Sequence, residues 1–560
     1  MITMSYRIEG GDFDAAGLAT RMLKEQMAKI GVDANVMRRA MIAAYEAEMN
    51  VVIHARTGTL WARLDETKLD LEIADEGPGI PDVQLALREG WSTASDKARE
   101  MGFGAGLGLP NIRRNSDLFE IETRVGKGTR IRSTINLRGS VAARVFADVP
   151  GGFAADVPGG FAADVPGGFA AALSLDAGRC RECLRCLFAC PTSALRVHNR
   201  GPFLLGELCI GCTACASECS ASVFGIRERQ DPPPVADIAR GAVLVAPRGF
   251  FSGFPVENSP RRVIGALREI GFSDIRLVEE WEEALRAEAR ALAAAGSHPL
   301  PVVPPLCPAV VALVESRFPS LIANLGPWLS PLQAAGEEFP LRPVVLVSAC
   351  PAQYAACSGA SLTGRLTVIT PARLSAAILP LLSGRPILAE DADFGPPLSA
   401  GRGHEELAVN GIRHVLRVLS AAESGALAGT SLLDLSLCDA GCSGSPLLSA
   451  DPFLSLHRWQ RASLGTRGTG GTAGVVRRTR PYAQRSGVRL DGDMAEAIRK
   501  LSRIDELART LPGRDCGACG APSCGTFAED VVLGRAAADG CPRRADAGRD
   551  AAASQQKEHS

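Results

Sequence analysis

RCRECLRCLFACPTSAL, residues 179–195, and ELCIGCTACASECSASVFGI, residues 207–226, set eight cysteines in two matching runs. The first holds Cys180, Cys183, Cys186 and Cys190, followed by Pro191; the second holds Cys209, Cys212, Cys215 and Cys219. Each run is C-x2-C-x2-C-x3-C. Three thiolates two residues apart wrap one face of an iron–sulfur cubane, and the fourth, after a turn, reaches across to the other cluster. The expected sets are Cys180, Cys183, Cys186 with Cys219, and Cys209, Cys212, Cys215 with Cys190. Small residues (Gly211, Ala214, Ala216) let the backbone approach the sulfurs and donate N–H bonds to them. The alternatives are zinc, which usually takes two separated cysteine pairs rather than triplets, and disulfides.

The double run resembles the bacterial two-[4Fe–4S] ferredoxin module, which implies two cubanes within residues 173–230. The rest of the chain sets the context. Its 560 residues suggest roughly three to five domains. A formal net charge of −1 argues against a dedicated nucleic-acid binder. No apolar run approaches the roughly 18 residues that span a bilayer, and MITMSYRIEGGDFDAAG has neither the basic start nor the apolar core of a secretory signal. Seventeen cysteines at these spacings read as metal ligands, so a cytoplasmic, reducing location is expected.

Residues 1–140 carry a second constellation. MRRAMIAAYEAEMNVVIHA reads as a helix with Glu46 and Asn50 four apart on one face. An asparagine there can ligate a phosphate-bridging Mg²⁺, and a glutamate one turn back can accept a hydroxyl proton. The alternating strand LDLEIADEGPGIPD ends in Asp75, Gly77 and Gly79. MGFGAGLGLPNI then supplies Gly104, Gly106 and Gly108 ahead of a helix, where backbone N–H groups can close on phosphates. GKGTRIRSTINL places Thr129 in a returning strand. The four boxes in order resemble the GHKL-type ATPases, specifically the small anti-sigma and switch serine kinases. That resemblance implies Asp75 on the adenine amino group, Asn50 on Mg²⁺, Glu46 as the base, Thr129 near adenine, and a serine on an antagonist protein as substrate. His54 is expected to be a packed helix residue.

ADVPGGFA occurs three times without change over residues 147–170, which reads as a flexible linker spanning 141–172. Beyond the ferredoxin-like module, GAVLVAPRGFF, RPVVLVSAC and GRLTVIT read as buried strands alternating with helices, an α/β pattern over 240–455. Cys307, Cys350, Cys438 and Cys442 come from three distant segments, and spacing alone leaves them between a further cubane and buried structural cysteines. CPAVVALVESRFPSLIANL with SPLQ, and CDAGC after the helical NGIRHVLRVLSAAESGAL, resemble the large-subunit domain of [FeFe]-hydrogenases. The resemblance implies that these four cysteines ligate the cubane of the H-cluster, the last also bridging to a di-iron unit. Leu306 stands at that family's proton-delivering cysteine, Gln353 at the lysine that hydrogen-bonds a cyanide, and Ala356 at a carboxylate. A bound cubane without efficient hydrogen turnover is therefore expected. Cys357 is left over.

Residues 456–490 carry eight arginines and no acid and read as a disordered basic linker. Within 491–545, Cys516, Cys519, Cys524 and Cys541 form a third ligand group for which the residues leave zinc open. The wording LPGRDCGACGAPSCGTFAEDV resembles the small [4Fe–4S] domain found beside corrinoid and electron-bifurcating proteins. Residues 546–560 read as a frayed tail.

The fold expected is multidomain, α/β and α+β: a GHKL α/β sandwich, a ferredoxin-like 2[4Fe–4S] module, a hydrogenase-like α/β domain and a small C-terminal Fe–S domain. The function expected is redox signalling, in which [4Fe–4S] clusters and a degenerate hydrogenase-like sensor govern an ATP-binding, Mg²⁺-dependent serine kinase. The alternative is an electron-transfer subunit of a larger oxidoreductase. The partners expected are a redox protein or hydrogenase subunit and an anti-sigma-antagonist-type substrate.

Overall fold

Buried and more exposed side chains alternate along TGTLWARL and KLDLEIAD, which gives residues 57–75 one apolar face and pairs them as antiparallel strands. The computed structural model describes residues 1–13, 15–93, 106–137, 169, 172–198, 201–228, 232–255, 257–358, 365–384, 405–427, 429–448, 451–462, 473–485 and 488–544. Strands β1 (Ile2–Glu9), β2 (Thr57–Leu64), β3 (Lys68–Asp75), β4 (Leu118–Thr123) and β5 (Thr129–Asn136) form an antiparallel sheet ordered β1-β2-β3-β5-β4. Helices α1 (Leu18–Lys29) and α2 (Ala34–His54) share its core, with Leu23, Met27, Met37 and Met41 in one cluster with Leu60, Leu64, Leu69 and Ile135. Asp33 caps α2 by accepting from the amides of Asn35 and Val36. This is the expected α/β sandwich.

The double cysteine run folds around two short two-stranded antiparallel sheets. One pairs β6 (Leu173–Leu175) with β9 (Phe224–Ile226), and the other pairs β7 (Leu195–His198) with β8 (Gly201–Leu204). Next comes a parallel sheet ordered β11-β10-β12-β13, built from β10 (Val243–Ala246), β11 (Asp274–Leu277), β12 (Val344–Val347) and β13 (Leu366–Ile369). β10 and β12 are buried at every position, as strands covered by helices on both faces must be. A smaller parallel pair, β14 (Glu406–Asn410) and β15 (Leu432–Ser436), leads into Cys438. Among the described residues no helix is long and apolar enough to cross a membrane.

The C-terminal helices Met494–Arg509 and Cys524–Val532 do not stand apart. Ala497, Ile498, Leu501, Ile504, Phe527 and Ala528 belong to the same hydrophobic core as α1 and α2. Each large side chain so buried is worth about 1.5–3 kcal/mol, so the N- and C-terminal modules stabilise one another.

The basic stretch departs from expectation. Pro452–Arg461 is helical, and residues 473–485 form a packed strap rather than a free connector. Arg477 bridges to Trp328, the Tyr482 hydroxyl donates to the carbonyls of Gly326 and Trp328, and the Arg485 amide donates to the Glu315 carbonyl. Composition reported the charge but not these backbone bonds or the aliphatic arginine stems that pack. Of the ADVPGGFA repeats only Phe169 is described, and it is buried. Burial beside the strap pushes the Glu315 carboxyl up to about 7. A raised carboxyl favours the fold fully below its unfolded value of 4.5 and loses that contribution as pH rises through about 7. Apparent thermal stability should therefore fall between pH 5 and pH 7.5 (roughly the span of that shift), and Glu315→Gln should flatten the profile. An equal slope in the variant would assign the effect elsewhere.

Candidate functional site

Glu46 and Asn50 project from α2 toward the start of the Gly108–Asn115 helix. Asn111 Nδ2 donates to Glu46 Oε1 at 2.7 Å. A Cβ on Gly108 would lie 3.1 Å from Asn50 Oδ1 and 3.4 Å from Glu46 Oε2, so glycine keeps a cradle open there. Asn50 Nδ2 is buried without a partner among the described residues, an orphan donor in the place where a polar ligand is expected. Burial pushes the Glu46 carboxyl up, with Asn111 opposing, and a raised carboxyl suits a proton acceptor working near neutrality.

At the end of β3, Asp75 Oδ1 accepts from the amides of Gly77 (2.8 Å) and Thr129 (3.2 Å), which leaves Oδ2 for a further donor. Burial raises this carboxyl against those two bonds and His54. Burial holds His54 below its usual value. The Gly77 Cβ position lies 3.3 Å from the Ala55 Cβ, so the end of α2 abuts this loop. Gly79, at φ 73°, passes 2.3 Å (Cβ position) from the Arg124 carbonyl, where no side chain fits. Gly106 packs its backbone on Gly90 and Trp91; Gly104 lies outside the described residues.

Sequence reasoning missed four supports. Gly128, at φ 84°, would place a Cβ 2.0 Å from the Asp75 carbonyl. Thr123 Oγ1 accepts from the Ile80 amide and meets Thr129 Oγ1 at 3.1 Å. Asn111 orients Glu46. Glu48, buried two residues along α2, accepts from the amides of Gly17, Ala19 and Thr20 and the Thr20 hydroxyl, and so fixes the start of α1. Only Gly128 had a local sign, the GKGT turn.

The cysteines fall into four pens. Cys186 is pushed up to about 11 by burial, with Cys219, Cys180 and Cys183 adding to it. Cys215 is raised by burial, by Cys190 and by Cys209, and Cys212 by burial, Cys190, Cys215 and Cys209. The crossed sets read from the spacing are thus brought together. Cys442 is raised by burial and by Glu282, Cys307, Cys350 and Cys438. Cys516, Cys519, Cys524 and Cys541 line one hollow. Cys357 is buried and raised by burial alone, in no pen. Sulfurs that raise one another need a cation to be thiolates together, which iron supplies. Backbone N–H groups reach sulfur from Glu182 to Cys180, Ala194 to Cys190, Gly211 to Cys209 and Gln353 to Cys350, the bonds that iron–sulfur sites use. Among the described residues no three His, Cys, Asp or Glu groups close on a single ion. The donor sets fit cubanes.

The pens touch in file. The Gly211 Cβ position lies 2.7 Å from the Ala352 amide and Thr213 Oγ1 lies 3.9 Å from Cys438 Sγ, which joins the Cys209 pen to the Cys442 pen. The Gly517 Cβ position lies within 3.3 Å of Leu184, Leu187 and Phe188, and the Val197 amide donates to the Gly520 carbonyl, which joins the Cys180 pen to the C-terminal one. Leu306 sits in an apolar cluster with Leu285, Trp328 and Leu432. Gln353 Nε2 donates to Cys442 Sγ at 3.1 Å while its Oε1 accepts from the Ala349 amide.

Fold and sites together define an iron–sulfur protein joined to a GHKL ATPase module. The histidine kinase-, DNA gyrase B- and HSP90-like ATPase family matches residues 35–139. A 4Fe-4S dicluster domain matches 172–220, the C-terminal domain of the iron-only hydrogenase large subunit matches 241–339, and an Fe-S cluster domain matches 511–543. The serine/threonine-protein kinase RsbT of Bacillus subtilis is 32% identical over 126 residues, 22% of this chain and 89% of that protein. By this module the chain belongs to the RsbT-type serine/threonine-protein kinase family. An anti-sigma F factor of Caldanaerobacter subterraneus is 34% identical over 97 residues, 16% of this chain, and the chain spans 64% of its length. The large subunit of the corrinoid/iron-sulfur protein of Moorella thermoacetica is 44% identical over 46 residues, 8% of this chain and 10% of that protein. A solved [FeFe]-hydrogenase of Chlamydomonas reinhardtii overlaps 47% of this chain and 90% of its own at 15% identity and a TM-score of 0.31.

Proposed function

We propose that this protein is a redox-signalling serine kinase in which [4Fe–4S] modules and a hydrogenase-like domain without a proton path govern an ATP-binding module. The observation that carries the reading is the shared core: the C-terminal cysteine module is packed into the ATPase on one side and onto the ferredoxin module on the other. Lys29 of α1 pairs with Glu529 at 2.7 Å, and Phe527, two positions earlier in the same helix and 2% exposed, enters that core. A change in charge at the cysteine pens therefore acts on elements that also hold α1 and α2.

In the kinase reading Asp75 Oδ2 accepts from the adenine amino group, Thr129 lies beside the base, and Gly77, Gly79, Gly106 and Gly108 let backbone approach the nucleotide. Glu46 takes the proton of the attacking serine hydroxyl as the γ-phosphoryl group passes to that oxygen and ADP leaves. Asn50 is the residue that would hold the Mg²⁺ neutralising the phosphates. The substrate proposed is a serine on an antagonist protein of the kind the relatives' names suggest, and the location proposed is the cytoplasm.

Anaerobic protein, oxidised and then reduced with dithionite, should differ severalfold in ATP turnover or in phosphorylation of such an antagonist (order of magnitude from typical coupling energies). Equal rates in both states would sink the redox-signalling reading. The pens in file favour a second reading, an electron-transfer subunit, in which nucleotide changes nothing downstream. Active hydrogen turnover is not proposed, because Leu306 has no exchangeable proton.

A further inference from the structure

Among the described residues of the all-basic stretch one arginine is buried. Arg485 is 9% exposed, its Nη1 donates to the Cys209 carbonyl at 2.8 Å, and its guanidinium lies 5.2 Å from the Phe169 ring. Its amide is pinned to the Glu315 carbonyl. Glu315, Cys209 and Glu207 act on it electrostatically, yet among the described residues no salt bridge joins it to a carboxylate. A buried guanidinium cannot shed its proton, so burial without a paired anion is costly. What faces it instead is Cys209, with which its charge interacts, one member of the pen of Cys190, Cys209, Cys212 and Cys215, whose thiolates carry negative charge when iron is bound.

We propose that Arg485 sets the reduction potential of the cluster held by Cys190, Cys209, Cys212 and Cys215, raising it relative to the cluster held by Cys180, Cys183, Cys186 and Cys219. Reduction adds one electron and no proton, hence one unit of negative charge. A fixed positive charge beside Cys209 stabilises the reduced form more than the oxidised one. Among the described residues the Cys180 pen has no such counterpart: Arg185 beside it is exposed, where solvent and salt screen its charge. Arg485 is thus a positioning residue for electrons. The pen next to the hydrogenase-like domain becomes the better acceptor, and electrons in the ferredoxin module collect on that side.

The test is an EPR-monitored redox titration of the full, iron-loaded chain with dithionite as the electron source. In Arg485→Gln one midpoint should fall so that the equilibrium constant for reduction drops about tenfold, which is about 59 mV for one electron. Arg485→Lys should keep most of the wild-type value, and Arg461→Gln, an exposed arginine of the same stretch, should leave every midpoint in place. Should Arg485→Gln fail to hold iron, Arg485→His supplies the comparison within one folded protein: its midpoint must fall as pH rises through the imidazole range near about 6.5. Unmoved midpoints, or Arg485→Lys falling as far as Arg485→Gln, would overturn the proposal and leave Arg485 a structural strap. A wild-type EPR spectrum that survives unchanged in Cys209→Ala would instead refute the cluster itself.

Discussion

Asp75→Asn should weaken ATP binding by about 100-fold, corresponding to about 3 kcal/mol for a lost charge-assisted bond and a donor left facing a donor. The substitution keeps the shape of the side chain. Its Oδ1 still accepts from the Gly77 and Thr129 amides, so the loop after β3 stays in place. At the second position an amide N–H₂ replaces the acceptor, and the exocyclic amino group of adenine then meets another donor. Glu46→Gln makes the contrast. Its amide oxygen can still accept from Asn111, so affinity should hold within about twofold, while phosphoryl transfer should fall by about 10²–10⁴ for a lost base. Calorimetric titration with ATP, alongside single-turnover transfer to a serine substrate, reads both. Asp75→Asn binding within threefold of wild type would remove Asp75 from the adenine contact. Glu46→Gln losing affinity and rate together would mean that Glu46 shapes the pocket rather than accepting a proton.

The sequence made local chemistry legible and left pairing between distant faces hidden. Triplet cysteines announce a cubane because three ligands come from one turn of chain, and the crossed fourth ligand follows from that motif. Asp75-x-Gly77-x-Gly79 is equally local. Glu48 was not legible: only its four bonds to the start of α1 distinguish it from Glu46, and those span 28 to 31 residues. The strap was hidden for a different reason. Eight arginines without an acid read as solvated charge, yet Arg485 is buried because a cysteine pen and an aromatic ring lie where tertiary folding brings them. Nor does anything in the Met494–Arg509 helix name its partner. Its apolar face could cover many surfaces, and that it covers α1 and α2 is settled by packing.

The second large effect is expected where the two cysteine-bearing modules join. Arg196 of β7 donates from Nε and Nη2 to the two carboxylate oxygens of Asp530, and the pair is nearly sealed, at 3% and 5% side-chain exposure. Arg196 Nη1 also serves the carbonyls of Ser193 and Leu195, so the guanidinium is fully engaged. Asp530→Ala would strand a cation that cannot neutralise itself, at a cost of about 3–5 kcal/mol. The pair that ties α1 to the hydrogenase-like domain behaves differently. Lys24 is paired with Glu423 and capped by the Phe318 ring at 3.7 Å, and burial already lowers its hold on a proton. With Glu423→Gln the ammonium can shed that proton, so the loss should stay near about 1–3 kcal/mol. Arg196→Met combined with Asp530→Leu, which removes both charges, should recover most of the deficit of Asp530→Ala, since apolar replacement of a whole buried pair is often neutral. Hydrogen exchange followed over residues 511–533 and 193–198 locates the damage. In Asp530→Ala both segments should lose protection together while β1–β5 keep theirs. Protection lost across the ATPase sheet as well would show that the shared core, and not the Arg196–Asp530 pair, is what holds the C-terminal pen against the ferredoxin module.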